Sequence, residues 1–211
     1  MNIIHYSKNG KFSEEILENA KDVVIAIDSQ CISSHQVTLP KMSKSKAHKA
    51  IPFALESQLL DEIDDLNYTF LKSLTQNIWD VFVISKEILE NIENQLFKVK
   101  CNPVAIVPDF MLLPFSEGNI NYYEQDGFIK FRSGTNQGGC LASKNFHALF
   151  ADSNLIKADF SYSSDNKVNI QTSNSPKGVS GYLSAWRIPA AIALIALLLA
   201  TSQIGVKNNQ L

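Results

Sequence analysis

The sequence predicts a mixed α/β (α+β) domain followed by a single transmembrane helix, and three observations carry that expectation. Short apolar runs such as Val23-Val24-Ile25-Ala26-Ile27 alternate with stretches of helical periodicity, the pattern of a sheet covered by helices. Ala47, Ile51, Leu55, Leu59 and Ile63 recur every fourth residue, which is one face of a helix. Between Arg187 and Lys207 no charged residue occurs, and residues 188–200 are apolar throughout.

Taken in order, a strand over 3–6 leads into a turn at Lys8-Asn9-Gly10-Lys11. A short helix over 13–20 follows, with Ser13 to cap it and Glu14 and Glu15 at its positive end. The run 23–27 has no polar side and suits a strand covered on both faces. Alternation over 35–39 gives a further strand, closed by Pro40.

The stretch 41–65 changes character twice. It begins basic and Ser-rich, with Lys41, Lys44, Lys46, His48 and Lys49, and it ends acidic, with Glu56, Asp61, Glu62, Asp64 and Asp65. The four-residue stripe lies between. Pro52 falls inside it, brings no amide hydrogen and crowds the preceding turn, so the helix should kink or restart there. Spacing alone leaves two readings open: a surface helix packed on a sheet with solvated charges at its ends, or a partner-docking face.

Strands over 66–70 and 79–84 come next, then a helix from Ser85 to Phe97 with Ile88, Leu89, Ile92, Leu96 and Phe97 facing inward. A buried strand over 104–107 runs into Pro108-Asp109, where Asp109 can cap a short helix that stops at Pro114. Asp126-Gly127 supplies the positive φ angles of a tight turn, so 119–124 and 128–132 form a hairpin. Residues 138–142 add a third strand and 145–150 a short helix.

From Ala151 the chain turns polar, with one modest strand signal at 167–171. The organisation expected is a domain over 1–160, a polar linker over 161–185, a transmembrane helix over 186–206 and a short tail over 207–211. At about 1.5 Å per residue that helix just crosses a hydrocarbon core of roughly 30 Å. Tyr182, Trp186, Arg187 and Lys207 stand where membrane-interface anchors belong. Lys177 and Arg187 before the span, against Lys207 after it, favour an N-terminus in the cytoplasm. The first residues show no basic leader followed by an apolar core, so no signal peptide is expected.

A formal net charge of −2 argues against nucleic acid as the partner, since a phosphate-binding face leaves a basic excess. Cys31, Cys101 and Cys140 are odd in number and far apart, which suits small buried hydrophobes in a reducing compartment better than disulfides or zinc. His5, His35, His48 and His147 have no ligand spacing, and no nucleophile elbow occurs. Asp28-Ser29 after a strand is similar to the phosphate loop of actin-like ATPases, but 28–31 holds no glycine to let backbone amides approach a phosphate. The glycine-rich loop 134–139 lacks a Walker ending and suits a hairpin connection. No catalytic constellation, cofactor or metal is expected.

The ordered motifs resemble a known family. Leu39-Pro40, then Ile51-Pro52-Phe53-Ala54-Leu55-Glu56-Ser57-Gln58-Leu59, then Asp64-Asp65-Leu66-Asn67-Tyr68 is similar to the signature of type II secretion system protein L, with Ile51 for the usual Leu and Asn67 for the usual His. Val107-Pro108-Asp109-Phe110-Met111-Leu112-Leu113-Pro114 resembles its Val/Leu-Pro-Asp motif, and Arg132, Gly134 and Gly138 resemble its strand-Arg-x-Gly-x-x-x-Gly element. Asn169-Ile170-Gln171 is loosely similar to a motif just before the family's anchor.

The resemblance implies a reduced actin-like, ribonuclease H-like cytoplasmic domain, non-enzymatic, on an inner-membrane anchor. It also implies partners: the cytoplasmic secretion ATPase (protein E), secretion protein M, and self-association. Against the family pattern, the N-terminal half-sheet is shorter, the polar region 151–181 stands in for a larger subdomain, and the family's periplasmic domain lies outside this sequence, either naturally or because the sequence is a fragment, which leaves the periplasmic contacts open. The exposed helix face and acidic end, Glu56, Asp61, Glu62 and Asp65, are the expected docking region for the ATPase. The alternative is a nucleotide-binding actin-like protein of the pilus-assembly or cell-division type.

Overall fold

The computed structural model describes residues 1–13, 16, 20–73, 75, 77–163 and 168–170. Its elements begin with β1 (Asn2–Tyr6), β2 (Val23–Ile27), β3 (Ile32–Thr38) and α1 (Lys44–Leu55). Then come β4 (Leu66–Lys72), β5 (Ile78–Ser85), α2 (Lys86–Lys98) and β6 (Ala105–Pro108). The described part closes with β7 (Asn119–Gln125), β8 (Phe128–Arg132), β9 (Gly138–Ala142), α3 (Ser143–Leu149) and β10 (Asn154–Lys157).

Among the described residues these strands make three small sheets. β1-β2-β6 is wholly parallel, β3-β5-β4 is antiparallel, and β10-β7-β8-β9 is antiparallel except for the parallel β10–β7 pair. β2 is central and no residue in it exceeds 1% exposure, as its unbroken apolar run requires. Its alternate side chains serve two cores. Ile25 and Ile27 join Phe82 and Ile84 of β5, Leu89, Ile92 and Leu96 of α2, and Phe110, whereas Val24 and Ala26 pack with Val107 and Leu112 on the other face.

α1 lies on the antiparallel sheet. Ala47, Ile51 and Leu55 are fully buried against Val37, Phe70, Trp79, Val81 and Val83. Burial of side chains the size of Ile51 and Leu55 stabilises by about 1.5–3 kcal/mol each. Ser43 caps the helix, accepting from the Lys46 amide at 3.4 Å. The hairpin turns on Asp126 (φ 52°) and Gly127 (φ 78°), as Asp-Gly predicts.

Several expectations need correction. The four-residue stripe does not make one long helix: α1 runs through Pro52 and stops at Leu55, followed by 3-10 turns at Glu56–Gln58 and Ile63–Asp65. Pro52 cannot donate to the His48 carbonyl, and only one further turn forms before Leu59 becomes extended (ψ 148°). Leu59 and Ile63 are only partly buried. Phe97, placed inward by periodicity, is 71% exposed. Asp109 caps nothing; it is fully buried and ion-paired. β10 had no strong sequence signal, and Val168 and Ile170, in the stretch expected as linker, are buried in the largest core. There the Ile170 amide donates to the Ile106 carbonyl and Asn169 Oδ1 accepts from the Ile106 amide, which ties this stretch to β6.

The helix expected over 13–20 falls largely outside the described residues. So do the stretch 186–206 and the anchors Tyr182, Trp186, Arg187 and Lys207. Among the described residues no helix is long and apolar enough to cross a membrane.

Candidate functional site

The acidic segment after α1 passes through two 3-10 turns and then enters β4. Asp61, Glu62 and Asp65 are exposed and line one side of an open groove of about 590 Å³, with Leu60 at its edge and Lys86 and Glu87 of α2 opposite. Glu56 is exposed on the first 3-10 turn and does not line the groove. Near the groove, the Lys86 ammonium donates to the Asp64 carbonyl and the Tyr68 hydroxyl donates to the Ile63 carbonyl at 3.4 Å. Burial raises the pKa of that hydroxyl, and the charges of Asp64 and Glu56 raise it further. Three of the four residues chosen from sequence therefore share one negatively charged concavity.

A second constellation went unread in the sequence. In the parallel pair β2–β6, Ile27 sits opposite Pro108, so the residues that follow, Asp28 and Asp109, emerge side by side at the carboxyl ends of the strands. In open α/β sheets that edge is where ligands are bound. Here β8 delivers Lys130 to it. The Lys130 ammonium pairs with Asp109 and lies 3.5 Å from Asp28 Oδ2. Asp109 Oδ1 accepts from the Ser29 amide at 3.1 Å and from the Ser29 hydroxyl. Asp28 accepts from the Gln30 amide at 2.9 Å, a local turn that fixes the loop in place of a glycine.

Burial pushes the Asp109 carboxyl up, and the opposing pull of Lys130 and Ser29 does not cancel it. Burial pulls the Lys130 ammonium down, but Asp109 and Asp28 outweigh it and leave it raised. The cluster thus sets one cation of the chain's own against two carboxylates. Burial, reinforced by Asp28 and Asp109, also pushes the Cys31 and Cys140 thiols up to about 11, so both stay protonated near neutrality. Among the described residues no group of His, Cys, Asp and Glu side chains could hold a metal ion.

The Arg132-x-Gly134-x-x-x-Gly138 element is a structural clamp. The Arg132 guanidinium donates to the carbonyls of Met111 (3.2 Å), Leu113 (2.8 Å), Gly134 (3.3 Å) and Thr135 (2.6 Å). It so joins the β8–β9 loop to the chain after β6. Gly138 has no room for a side chain: a Cβ there would stand 2.3 Å from the Phe131 carbonyl oxygen and 2.4 Å from the Phe110 ring. Ser34 of β3 donates to the Gly138 carbonyl at 2.6 Å, and Asn136 donates to Asp80 Oδ2 at 3.0 Å, which ties the same loop to the antiparallel sheet. The glycine-rich loop is a hairpin connection, as its sequence indicated.

With this geometry in place, comparison with known proteins is informative. A protein from Dickeya chrysanthemi described as type II secretion system protein L is 26% identical over 127 residues, covering 60% of this chain and 32% of that relative's length. The cytoplasmic domain of EpsL, described as an inner-membrane component of the type II secretion system of Vibrio cholerae, superposes with a TM-score of 0.62 at 13% identity. That superposition covers 81% of this chain and 88% of the other, so the two share a fold. A PilM–PilN type IV pilus biogenesis complex matches at a TM-score of 0.46 and 15% identity, over 62% of this chain and 46% of that one. The family model for type II secretion system protein L matches residues 3–207, nearly the whole sequence, and the chain belongs to that family.

Proposed function

We propose that the chain is an inner-membrane platform component of the type II secretion system, a non-catalytic scaffold that holds the cytoplasmic secretion ATPase at the membrane. The family match from residue 3 to 207 carries this reading, because it joins the folded unit to the apolar stretch in one chain. On this reading residues 186–206 cross the membrane with the N-terminus in the cytoplasm, and the domain has a reduced actin-like fold. Lys130 supports a scaffold: it occupies the strand edge where an actin-like enzyme would meet phosphate, and it faces the carboxylates itself. Secretion protein M and further copies of the chain are the other expected partners.

The groove beside Asp61, Glu62 and Asp65 is the proposed docking surface. Exposed charges of one sign speed encounter with a basic partner and make it sensitive to salt. In co-elution of the full chain with its purified secretion ATPase, binding is expected at low salt. Reversal of charge at Asp61→Lys and Glu62→Lys should weaken it tenfold or more, about 1.4 kcal/mol. Absence of co-elution by the unaltered chain would overturn the ATPase reading; full affinity after charge reversal would remove the groove from it.

A further inference from the structure

We infer that the outward face of α1 rests on an anionic lipid surface, with Lys46 and Lys49 against the headgroups and Phe53 at the edge of the acyl layer. The inference deepens the membrane location proposed above and rests on it; it makes no use of the ATPase. Helical spacing sets the face. Lys46, Lys49 and Phe53 fall at i, i+3 and i+7, on the side of α1 opposite the buried Ala47, Ile51 and Leu55. All three are exposed, and Phe53 keeps 67% of its surface in solvent.

Charge on this face is of one sign. Lys41, Lys44, Lys46 and Lys49 are exposed, and among the described residues no carboxylate pairs with any of them. Residues 29–55 contain no acidic residue at all. A solvated helix ordinarily mixes its signs, as α2 does with Lys86, Glu87, Glu90, Glu93 and Lys98. α1 instead sets Lys44 and Lys46 in a first turn that holds no acid, where the positive end of the helix dipole disfavours cations. Lys44 and His48 lie over the buried Phe70 ring, which leaves Lys46 and Lys49 to reach outward.

An anionic surface removes that imbalance. Each lysine brought against anionic headgroups strengthens partition by about fivefold. Phe53 argues for lipid over other polyanions, because the boundary between headgroups and acyl chains buries an aromatic ring set beside lysines. The net charge of −2 disfavours nucleic acid. The acidic stretch that begins at Glu56 starts about 15 Å from Lys46 along the helix axis, farther than the Debye length of about 8 Å at physiological salt. A surface that attracts the lysines repels that stretch. The domain therefore has a preferred orientation on the bilayer, basic face down and acidic segment away.

The test is acylation of lysines in the full chain by a membrane-impermeant reagent, read by mass spectrometry. The chain is reconstituted into vesicles of phosphatidylcholine alone, or of phosphatidylcholine with phosphatidylglycerol. Exposed Lys157 of β10 is the internal reference, so the direction of insertion cancels. At low salt Lys46 and Lys49 should react about fivefold more slowly, relative to Lys157, in the anionic vesicles than in the neutral ones, with Lys41 and Lys44 protected alongside them. Salt at about 0.5 M should abolish the difference. The pair Lys46→Glu with Lys49→Glu should return Lys41 and Lys44 to full reactivity, whereas Lys46→Arg with Lys49→Arg should keep them protected. Phe53→Ser should weaken the protection without changing its salt dependence, since the ring carries no charge. Equal relative reactivity in the two kinds of vesicle, or protection that survives the glutamate pair, would overturn the inference. So would equal protection by a short RNA duplex added to neutral vesicles, which would mark a site for polyanions at large. Flotation with the neutral vesicles reports on the membrane span by itself, so its failure is distinct from failure here.

Discussion

Lys130→Met is the substitution that weighs most on the buried ionic cluster, and its cost can be worked from the geometry. The variant keeps the length and apolar stem of the side chain and removes only the ammonium. Asp109, at 0% exposure, then keeps the Ser29 amide and hydroxyl on Oδ1 but has no hydrogen-bond donor for Oδ2 among the described residues. Breaking a buried pair from one side costs about 3–5 kcal/mol near neutral pH, because the remaining charge is stranded. Burial already raises the Asp109 pKa with Lys130 present, so without it the carboxyl rises further above its unfolded value near 3.9.

The sign follows from linkage. A raised carboxylate pKa makes the folded state bind more protons than the unfolded one, so stability increases as pH falls through the window between the two values. The slope is about 1.4 kcal/mol per pH unit while the folded group is protonated and the unfolded group is not. Urea titrations followed by circular dichroism at pH 7.5 and 5.5 should show the deficit of the variant shrinking by up to about 2.7 kcal/mol. The pair Lys130→Met with Asp109→Leu should recover most of the loss at both pH values, since replacing both charges by apolar groups is often neutral. A deficit that is independent of pH, or a double variant no better than the single one, would show that the two charges are not coupled as described.

Two further outcomes are expected. Gly138→Ala drives a methyl group into the Phe131 carbonyl and the Phe110 ring, and should cost about 3 kcal/mol, lowering the melting temperature by roughly 6–12 °C in a thermal scan. Ile51→Ala should cost about 2–5 kcal/mol in a urea titration and Ile63→Ala less than about 1 kcal/mol. Equal costs would mean that the helix continues through 63 after all.

Legibility of the fold followed from how local each signal was. β2, the Asp-Gly hairpin and the inner face of α2 at Leu89, Ile92 and Leu96 depend on apolar spacing and turn chemistry, which neighbouring residues encode. Leu59 and Ile63 repeat the stripe yet lie beyond α1, which runs through Pro52, where a kink or restart is expected from sequence, and ends at Leu55 before two 3-10 turns. β10 was missed because Asn154-Leu155-Ile156-Lys157 is largely exposed, and only its pairing with β7 makes it a strand.

Of the site, the acidic tip was readable as composition, and the groove beside it was not, since Lys86 and Glu87 lie a strand pair away in sequence. The Asp28–Asp109–Lys130 cluster assembles residues from three separate strands' ends and centres. A parallel pairing of 23–27 with 105–108 would have set two carboxylates together and required a cation. Lys130, the buried lysine of the hairpin, was the candidate to supply it.

The fork of Arg132 has a consequence for how this architecture tolerates sequence change. All four of its acceptors are main-chain oxygens, of Met111, Leu113, Gly134 and Thr135. A carbonyl is the same group whatever side chain hangs beside it, so the clamp does not inspect the identity of Met111, Leu113 or Thr135. It inspects only the path of the chain. The irreplaceable letters are the one that reaches for backbone, Arg132, and the one that must have nothing to offer, Gly138. Two sparse positions can therefore hold the geometry of this corner while the residues around them drift, and a resemblance survives as a few spaced letters long after overall identity has faded.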